Sequence, residues 1–418
     1  MFEWSDTDII MRDTMRTFID KEIRPHLDEL ESGALSPYPI ARKLFSEFGL
    51  DVMAAEAVKG MLEKERAKQS SGAEQAASKK GGGLSGVGAQ ASMAVAMVSE
   101  LAGVSIGLLS TVGVSLGLGA ATIMSRGTLA QKERWLPELM TLEKIGAWAI
   151  TEPDAGSDAF GGMKTYVKRD GSGDGAYILN GQKTFITNGP NADVLIVYAK
   201  LDEGDSSDKR NRPVLTFVLD AGMPGLTQGK PFKKMGMMSS PTGELFFDNV
   251  RLTPDRLLGE TEQHESGDGR DSARSNFVAE RLGIAAMSLG IINECHRLCV
   301  DYAKTRTLWG KEIGQFQLIQ LKLAKMEVAR INVQNMVFQT LEKLKAGKLP
   351  SLGEASAIKW YSSETATDVA MDAVQLFGGN GYMTEYRVEQ LARDAKSLMI
   401  YAGSNEVQIT HVAKSLLA

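Results

Sequence analysis

The 418-residue sequence predicts an α+β protein of three consecutive parts, with helical segments on either side of a segment of strands. Apolar residues recur at helical spacing near the N-terminus, and again from about residue 275 to the end. Between these parts, short apolar runs of strand length alternate with glycine-rich or polar turns. Strands without intervening helices favour an antiparallel barrel or sandwich. We therefore expect a helical domain at 1–146, a β domain at 147–258 and a helical domain at 259–418.

The N-terminal part begins with a predicted helix over residues 5–30. Either Ser5 or Thr7 can cap this helix, because a hydroxyl accepts a hydrogen bond from a free N–H of the first turn. Its apolar stripe consists of Met15, Phe18, Ile19 and Ile23. Pro25 lacks an N–H and limits the regular continuation of the helix, and a further helical region reaches about residue 66.

Residues 69–90 differ in composition from their surroundings. They are rich in Ser, Gly, Ala and Lys, so they cannot bury much apolar surface. We expect a flexible loop here, either a solvated insertion without function or a mobile cover over a substrate entrance.

The run at 101–125 carries no charge and is long enough to span a bilayer. It is dotted with small residues, including Gly103, Gly107, Gly113, Gly117 and Gly119. Small residues at such spacing suit close helix packing in lipid or in a large soluble core, and both interpretations are open from the residues alone.

The central part carries a strong turn signal at 171–175 (Gly-Ser-Gly-Asp-Gly), which separates a strand near Tyr166 from a strand near Tyr177. Further strand-length runs lie at 194–198, 214–218 and 244–250, and a polar insert at 202–211 separates the first two. The sequence has no Gly-x-Gly-x-x-Gly between a strand and a helix. A nicotinamide-binding unit is therefore not supported.

Composition excludes several classes of function. A net charge of -5 and a pI near 5.6 argue against nucleic-acid binding as the main function. The four histidines lack ligand spacing, so we expect no metal site, and Cys295 and Cys299 suit one face of a helix. The acidic N-terminus lacks an export signal, which favours the reducing cytosol.

Five separated motifs stand out. They are residues 149–158 (Ala-Ile-Thr-Glu-Pro-Asp-Ala-Gly-Ser-Asp), 183–189 (Lys-Thr-Phe-Ile-Thr-Asn-Gly), 306–311 (Arg-Thr-Leu-Trp-Gly-Lys) with Gln317, 375–382 (Gln-Leu-Phe-Gly-Gly-Asn-Gly-Tyr) with 393–395 (Arg-Asp-Ala), and 401–404 (Tyr-Ala-Gly-Ser). Together they resemble the acyl-CoA dehydrogenase family, over nearly the whole chain apart from an insertion around residues 55–90.

The resemblance implies a fold and a reaction. The fold has an N-terminal helical domain, a central β domain and a C-terminal four-helix bundle, and residues 101–125 form buried helices beside an acyl pocket. The reaction is FAD-dependent α,β-desaturation of an acyl-CoA thioester to the trans-2-enoyl-CoA.

The first two motifs are implied to contact the flavin ring. A turn rich in Gly, Ser and Thr offers N–H and O–H donors to the oxygens and nitrogens of that ring. By resemblance, Ile150, Thr151 and Ser157 contact the ring edge, Phe185 packs on the ring and Thr187 hydrogen-bonds near its reactive nitrogen. Taken alone, the two segments would equally suit a capped loop and a strand that ends in a tight Asn-Gly turn.

Further FAD contacts are implied to come from a neighbouring subunit. The guanidinium of Arg306 suits the pyrophosphate, because it can form two parallel hydrogen bonds to phosphate oxygens. By resemblance, the other residues near the dinucleotide are Trp309, which replaces a usual phenylalanine, and Gln317, Gln375, Gly378, Gly379, Ser404 and Glu406. A site built from two chains implies a homo-oligomer, usually a tetramer.

Position 402 holds an alanine where sequences of this kind usually carry the catalytic glutamate. Removal of an α-proton needs a base, and a dry apolar slot makes a carboxylate more basic. We expect Glu280 to be that base, because residues 279–283 (Ala-Glu-Arg-Leu-Gly) resemble a minority pattern found in isovaleryl-CoA and long-chain enzymes. In that pattern the glutamate lies on a central helix, directly before an arginine.

The spacing of the motifs agrees with this assignment. Arg281 lies 25 residues before Arg306, and Ala402 lies 27 residues after Gln375. From the residues alone, Glu280 would equally suit a helix-start carboxylate paired with Arg281 or with the helix dipole. Glu406 is the nearest competing carboxylate along the chain.

The remaining site residues are implied to contact the substrate. The backbone N–H of Ala402 is expected to donate to the thioester oxygen, where negative charge develops. Ser157, Arg281, Tyr401 and Gly403 are the other expected substrate contacts. An electron-transfer flavoprotein is the expected electron acceptor. The alternatives are an acyl-CoA oxidase or flavin monooxygenase on the same scaffold, and a catalytically silent FAD- or acyl-CoA-binding homologue.

Overall fold

The computed structural model describes residues 3–70, 84–204, 208–263 and 267–417. Its N-terminal part is helical throughout. The helices are α1 (Asp6–Phe18), α2 (Leu27–Ser32), α3 (Pro37–Glu47), α4 (Leu50–Ser70), α5 (Leu84–Ala102), α6 (Ile106–Gly113), α7 (Ala121–Arg126) and α8 (Leu129–Met140).

The predicted first helix is confirmed, with a break where Pro25 stands. Ser5 caps α1 by accepting from the N–H of Asp8, and the Asp8 carboxylate accepts from the N–H of Ser5. After α1 the chain continues through a π turn at Ile19–Ile23 and a short 3-10 segment at Arg24–His26. The missing N–H of the proline prevents a regular α-helix across this segment.

The loop that we predicted at 69–90 is wrong at both ends. α4 continues to Ser70 and α5 begins at Leu84, so helix occupies both margins of the segment, while residues 71–83 lie outside the described residues. Alanines at 89, 91, 94 and 96 favour helix through their high propensity. A composition poor in large apolar side chains therefore did not prevent helix formation here.

The uncharged run is part of the packed interior. α6, a π-helical segment at Val114–Ala120 and α7 form one continuous helix, Ile106–Arg126, which is long and apolar enough to cross a membrane. In the most apolar 18-residue stretch of this helix, 61% is buried inside the protein. The helix therefore also fits the buried core helix that the resemblance implies. Length and composition alone do not separate these two interpretations.

The central part forms one seven-stranded sheet. Its strands are β1 (Gly146–Ala149), β2 (Tyr166–Arg169), β3 (Tyr177–Thr187), β4 (Val194–Leu201), β5 (Val214–Asp220), β6 (Leu226–Gln228) and β7 (Thr242–Leu252). The hydrogen-bonded order is β1-β4-β2-β3-β7-β6. The remaining strand, β5, lies off this path and pairs antiparallel with β4. The hairpin predicted around residues 171–175 is confirmed as the antiparallel pair of β2 and β3.

The sheet is mixed, which corrects the purely antiparallel arrangement that we expected. β1 and β2 both run parallel to β4, which they meet at Val194–Val197 and at Lys200–Leu201. The long loop between β1 and β2 returns the chain before β2 begins, so the two strands have the same direction. This loop contains the first predicted flavin motif.

The C-terminal part is a helical bundle. It consists of α9 (Gly269–Thr305), a small hairpin of β8 (Thr307–Leu308) and β9 (Lys311–Glu312), α10 (Gln317–Lys345), α11 (Leu352–Phe377), α12 (Val388–Leu398) and α13 (Asn405–Leu417). Cys295 and Cys299 are buried free thiols on α9, as their spacing predicts. The largest hydrophobic core joins this bundle to the N-terminal helices. Helices of two domains therefore enclose the site described next.

Candidate active site

The turn at residues 401–404 connects α12 to α13 and has an unusual backbone. Ala402 has φ +58° and Gly403 has φ +80°, both in the left-handed region, which is uncommon for a residue with a Cβ atom. Side chains hold the turn in this form. Nε2 of Gln408 donates to the carbonyls of Ala402 and Gly403 at 3.1 and 2.8 Å, and Nζ of Lys359 donates to that of Gly403 at 2.9 Å.

The N–H of Ala402 is available as a donor. Among the described residues, no group accepts a hydrogen bond from it. The turn therefore presents a backbone donor next to a buried cation, an arrangement that suits developing negative charge.

Glu280 lies in the middle of α9, which begins at Gly269. The structure therefore excludes the interpretation of Glu280 as a helix-start carboxylate. Its side chain is half-buried. Burial raises its pKa to about 7, although the charges of Arg281 and Lys359 act in the opposite direction. A carboxyl group with this pKa is a stronger base than an exposed glutamate.

Glu280 and the turn belong to the same site. Nη1 of Arg281 donates to Oγ of Ser356 at 3.0 Å, and a Cβ atom added to Gly403 would lie 3.9 Å from Nη2 of the same guanidinium. The hydroxyl of Tyr401 lies 3.4 Å from Sδ of Met287, also on α9. Burial, together with the charge of Glu280, raises the pKa of Tyr401. Segments 120 residues apart in sequence therefore meet, since α9 packs against α11 and α12.

Arg281 is only 3% exposed, and its guanidinium contacts the turn and α11. This position favours support of the turn over direct contact with a substrate.

A buried ion pair holds the two predicted flavin motifs together. Lys183 on β3 is fully buried, and its Nζ lies 2.8 Å from Oε1 of Glu152 and 3.1 Å from the carbonyl of Ile150. The N–H of Thr184 also donates to the carbonyl of Thr151 at 2.9 Å. The loop after β1 is thus fixed against the end of β3.

The ionisation of this pair follows from its partners. Burial alone would raise the pKa of Glu152, but the Lys183 charge and hydrogen bonds from Lys183, Thr165 and the N–H of Lys164 hold that pKa below its usual value. Burial lowers the pKa of Lys183 to about 8, against the opposing charge of Glu152. Glu152 is therefore ionised in the folded protein.

Phe185 lies in a bulge of β3. The register between β3 and β7 shifts between Lys183 and Ile186, and Phe185 has φ +57°. The bulge leaves Phe185 66% exposed. The centroid of its ring lies 5.8 Å from that of Phe232. An exposed aromatic ring held on a strained backbone is typical of a surface that packs against a ligand.

The other residues of these motifs differ in exposure. Ile150 is buried, Thr151 and Thr187 are half-buried, and Ser157 is exposed. Thr187 ends β3 and pairs with Thr242 of β7. Asn188, which follows, is buried and donates through Nδ2 to the carbonyls of Thr111 and Gly146 at 3.0 and 2.9 Å. It therefore links the motif to the N-terminal helices.

The predicted FAD contacts of the third and fourth motifs are exposed on the surface of the chain. Trp309 is 83% exposed at the tip of the β8–β9 hairpin. The other exposed members are Arg306, Gln317, Gln375, Gly378 and Gly379. Tyr302, before the hairpin, stacks on Phe377, at the end of α11, with 4.0 Å between ring centroids. The two motifs therefore share one region of the bundle.

Ser404 is half-buried, and Glu406 is exposed at the start of α13. Hydrogen bonds from its own N–H and from Ser404 hold the pKa of Glu406 below its usual value. An exposed carboxylate of this kind is a weaker base than Glu280, which argues against Glu406 as the catalytic residue.

Sequence reasoning missed the residues that support the turn. Lys359 is fully buried on α11, and Gln408 on α13 is equally buried. A signal for Lys359 exists in the sequence, because it lies on one helical face with small residues, Ala355, Ser356, Ser362 and Ser363. A lysine on such a face is a buried cation that needs acceptors.

The residues of the first two motifs fit a flavin. The strained, exposed Phe185 offers a packing surface, and the half-buried hydroxyls of Thr151 and Thr187 offer donors. Within the described ranges, no group of three or more His, Cys, Asp or Glu side chains could hold a metal ion.

The fold and this site define a flavin-dependent oxidoreductase of the acyl-CoA dehydrogenase type. Residues 76–143 match the acyl-CoA dehydrogenase N-terminal domain, 147–250 the middle domain and 267–417 the C-terminal domain. The chain belongs to the acyl-CoA dehydrogenase family, whose members are FAD-dependent oxidoreductases acting on the CH–CH bond of acyl-CoA.

Individual relatives agree with this membership. The short-chain specific acyl-CoA dehydrogenase of Megasphaera elsdenii is 40% identical over 320 residues, which is 77% of this chain and 80% of the relative. The mitochondrial isovaleryl-CoA dehydrogenase of Arabidopsis thaliana is 31% identical over 99% of this chain and 92% of its own length. The butyryl-CoA dehydrogenase structure from Megasphaera elsdenii has a TM-score of 0.82 at 34% identity, with full coverage of both chains.

Two other solved structures share this fold. A structure described as the electron transferring flavoprotein of Acidaminococcus fermentans has a TM-score of 0.81 at 29% identity, covering 100% of this chain and 99% of the matched one. The prolyl acyl carrier protein oxidase AnaB has a TM-score of 0.80 at 26% identity, covering 99% and 100%.

Proposed function

We propose that Glu280 is the base of an FAD-dependent acyl-CoA dehydrogenase, and that the N–H of Ala402 binds the thioester oxygen of the substrate. One observation carries the proposal. A half-buried carboxyl group with a raised pKa shares a site with a left-handed turn whose N–H has no acceptor among the described residues.

The chemistry follows from these two groups. Glu280 removes the α-proton of the acyl chain, and the electron pair of that C–H bond forms the α,β double bond. Negative charge grows on the thioester oxygen as the proton leaves, and a donor aimed at this oxygen stabilises the transition state more than the ground state. Tyr401 and Gly403 flank Ala402 in the turn, so they belong to the proposed substrate site. Ser157, which is exposed, is a further proposed substrate contact.

The proposed flavin contacts divide between two chains. Ile150, Thr151, Ser157, Phe185 and Thr187 would hold the ring, with Ser404 and Glu406 toward the adenine end. When bound, FAD accepts the hydride that leaves the β-carbon. Arg306, Trp309, Gln317, Gln375, Gly378 and Gly379 would contact the dinucleotide bound by a second copy of the chain, since all six are exposed in one copy.

A homo-oligomer is therefore part of the proposal, and a tetramer is the expected form. An apolar face on α10 supports it. This α10 face consists of Leu318, Leu321, Val328 and Ile331, which are 76%, 51%, 58% and 43% exposed. Several large exposed apolar side chains on one helix are typical of an interface between protein chains.

We expect the purified protein to be a yellow oligomer with about one FAD per chain. The double variant Leu321→Glu/Val328→Glu should shift the protein toward monomer and lower its FAD content, because buried carboxylates oppose the interface. Light scattering and the ratio of flavin to protein absorbance measure both effects. Val52→Glu, an equally exposed apolar site on α4, is the control. A parent protein that is a monomer saturated with FAD would contradict the two-chain site.

The finer properties of the protein are also proposed here. We propose cytoplasmic localisation, an electron-transfer flavoprotein as acceptor, and domains at 1–146, 147–258 and 259–418. A preference for branched or long acyl chains is proposed from the resemblance of residues 279–283 to isovaleryl-CoA and long-chain enzymes.

Anaerobic reduction of the flavin tests the reaction directly. We expect at least one of butyryl-, isovaleryl- and octanoyl-CoA to bleach the oxidised flavin band in a stopped-flow experiment without oxygen. Re-oxidation is then followed with oxygen or with an electron-transfer flavoprotein. Fast re-oxidation by oxygen alone would favour an oxidase, the activity named for AnaB. No bleaching by any thioester would leave the silent homologue as the better assignment.

A further inference from the structure

Lys359 on α11 has no role in the chemistry described above, yet it is fully buried beside the active-site turn. Its Nζ donates to the carbonyl of Gly403 and to Oδ1 of Asn405, both at 2.9 Å. Oδ1 of Asn405 also accepts from the hydroxyl of Ser363 at 3.1 Å, and the N–H of Asn405 donates to the carbonyl of Met399 at 3.0 Å. Lys359 therefore fastens the C-terminal end of the turn to α11, and Asn405 joins that end to Met399, which precedes the turn.

We propose that Lys359 is a positioning residue of the active site: its ammonium group fixes the turn that presents the N–H of Ala402, and its charge favours the ionised form of Glu280. This inference rests on the function proposed above for Glu280 and Ala402.

The position of the turn requires support from outside itself. Ala402 has a left-handed backbone, which is unfavourable for a residue with a Cβ atom and persists only when surrounding contacts hold it. Two side chains supply those contacts. Gln408 binds the carbonyls of Ala402 and Gly403 through a neutral amide, and Lys359 binds that of Gly403 through a cation.

The two supports differ in charge, and this difference separates them by experiment. Both bind the carbonyl of Gly403 from buried positions. Only Lys359 can act on Glu280 electrostatically, and its charge lowers the pKa of that carboxyl group. Loss of Gln408 should therefore disturb the turn alone, whereas loss of Lys359 should disturb the turn and the ionisation of the base.

The charges of Arg281 on α9 and Lys359 on α11 act on Glu280, and the charge of Glu280 acts on Tyr401 in the turn. On α13, Glu406 acts on Lys359, and Arg281 acts on His411. Burial and the charge of Arg281 lower the pKa of Lys359 to about 8, while Glu280 and Glu406 raise it. Glu280 is ionised above about pH 7 and Lys359 is charged below about pH 8.

The rate of flavin reduction in the parent should therefore pass through a maximum between these two values. It should rise with pH as Glu280 loses its proton, and fall at higher pH as Lys359 loses its charge.

The test compares Lys359→Met with Gln408→Met in the full-length, FAD-loaded protein, with isovaleryl- and butyryl-CoA as substrates. Each variant should reduce its flavin about 10- to 10²-fold more slowly, because a small displacement of a catalytic donor has an effect of this size. Lys359→Met should lose the alkaline limb, and its acid limb should move to higher pH because Glu280 has lost a neighbouring cation. Gln408→Met should keep both limbs.

Several outcomes would overturn the inference. A Lys359→Met protein with the parent's pH profile would refute the electrostatic role, and one with the parent's rate would refute positioning. If Lys359→Met does not retain FAD, then Lys359→Arg decides the matter. An arginine stays charged throughout, so the alkaline limb should disappear while the acid limb stays near its parent position. Persistence of the alkaline limb in Lys359→Arg would show that another group titrates. If no thioester reduces the parent, the proposed function itself fails, and this failure is visible before any variant is made.

Discussion

Replacing Glu280 with glutamine should slow flavin reduction by about 10²–10⁴-fold, with FAD still bound. The amide preserves the size of the side chain but cannot accept the α-proton. Glu280 is half-buried on the middle of α9, and the substitution removes a carboxyl group that burial already disfavours, so folding should not suffer. Stopped-flow reduction of the flavin by the best acyl-CoA substrate measures the effect.

The matched control is Glu327→Gln. Glu327 is also a helical carboxylate, but it binds Arg330 on α10 at 2.7 Å and has no contact with the turn. Its substitution should leave the rate of flavin reduction unchanged. A Glu280→Gln protein that reduces as fast as the parent would refute the displaced base.

Ala402→Glu in the Glu280→Gln protein should restore part of the rate. Alanine already has a Cβ atom in the left-handed region, so glutamate adds little further backbone strain at φ +58°. The new carboxylate would reach the same space from the opposite side, and it would shift preference toward straighter acyl chains because it fills room that alanine leaves. A restored rate shows that residues 280 and 402 face one α-carbon.

The second large effect concerns stability. Lys183→Met should lower the free energy of unfolding by about 3–5 kcal/mol, because it leaves the buried carboxylate of Glu152 without its cation. The FAD content should fall too, since the pair fixes the loop that carries Thr151. Thermal unfolding followed by circular dichroism, with flavin fluorescence in the same scan, measures both.

The double variant Lys183→Met/Glu152→Gln serves as the comparison. It removes both charges. The N–H groups of Lys164 and Thr165 bind different oxygens of Glu152, and the single oxygen of the glutamine can still accept from one of them. It should be more stable than Lys183→Met alone. If the double variant is the less stable of the two, an uncompensated carboxylate is not the cause of the loss.

Much of this architecture can be predicted from the sequence, because short segments such as turns and helix caps determine it. The turn at 171–175 is sufficient for the hairpin of β2 and β3, and Ser5 is sufficient for the start of α1. The parallel partners of β4 could not be predicted in this way, because their direction depends on the path of the long loop between β1 and β2. The helical ends of the segment at 69–90 were hidden by its polar composition, although alanine favours helix there.

The candidate site was likewise predictable only in part. The motif at residues 279–283 predicted that Glu280 lies on a helix, and the motif at 401–404 predicted that the N–H of Ala402 belongs to the same site. Packing determines what surrounds them. Lys359 becomes a neighbour of Glu280 only when α9 and α11 pack together, and the left-handed form of Ala402 depends on Gln408 from α13. Charges from separate helices therefore set the environment of the base, and no window of sequence contains them.

The exposure of Arg306 and Gln375 has a consequence for how the cofactor is retained. In the assembly that we propose, these groups complete a site on another copy, so saturation with FAD and association of chains obey one linked equilibrium. Dilution weakens retention of the cofactor even when free FAD is held constant, and added FAD draws separated chains back together. Bound FAD would therefore stabilise the assembly, and the size of this effect would depend on the protein concentration.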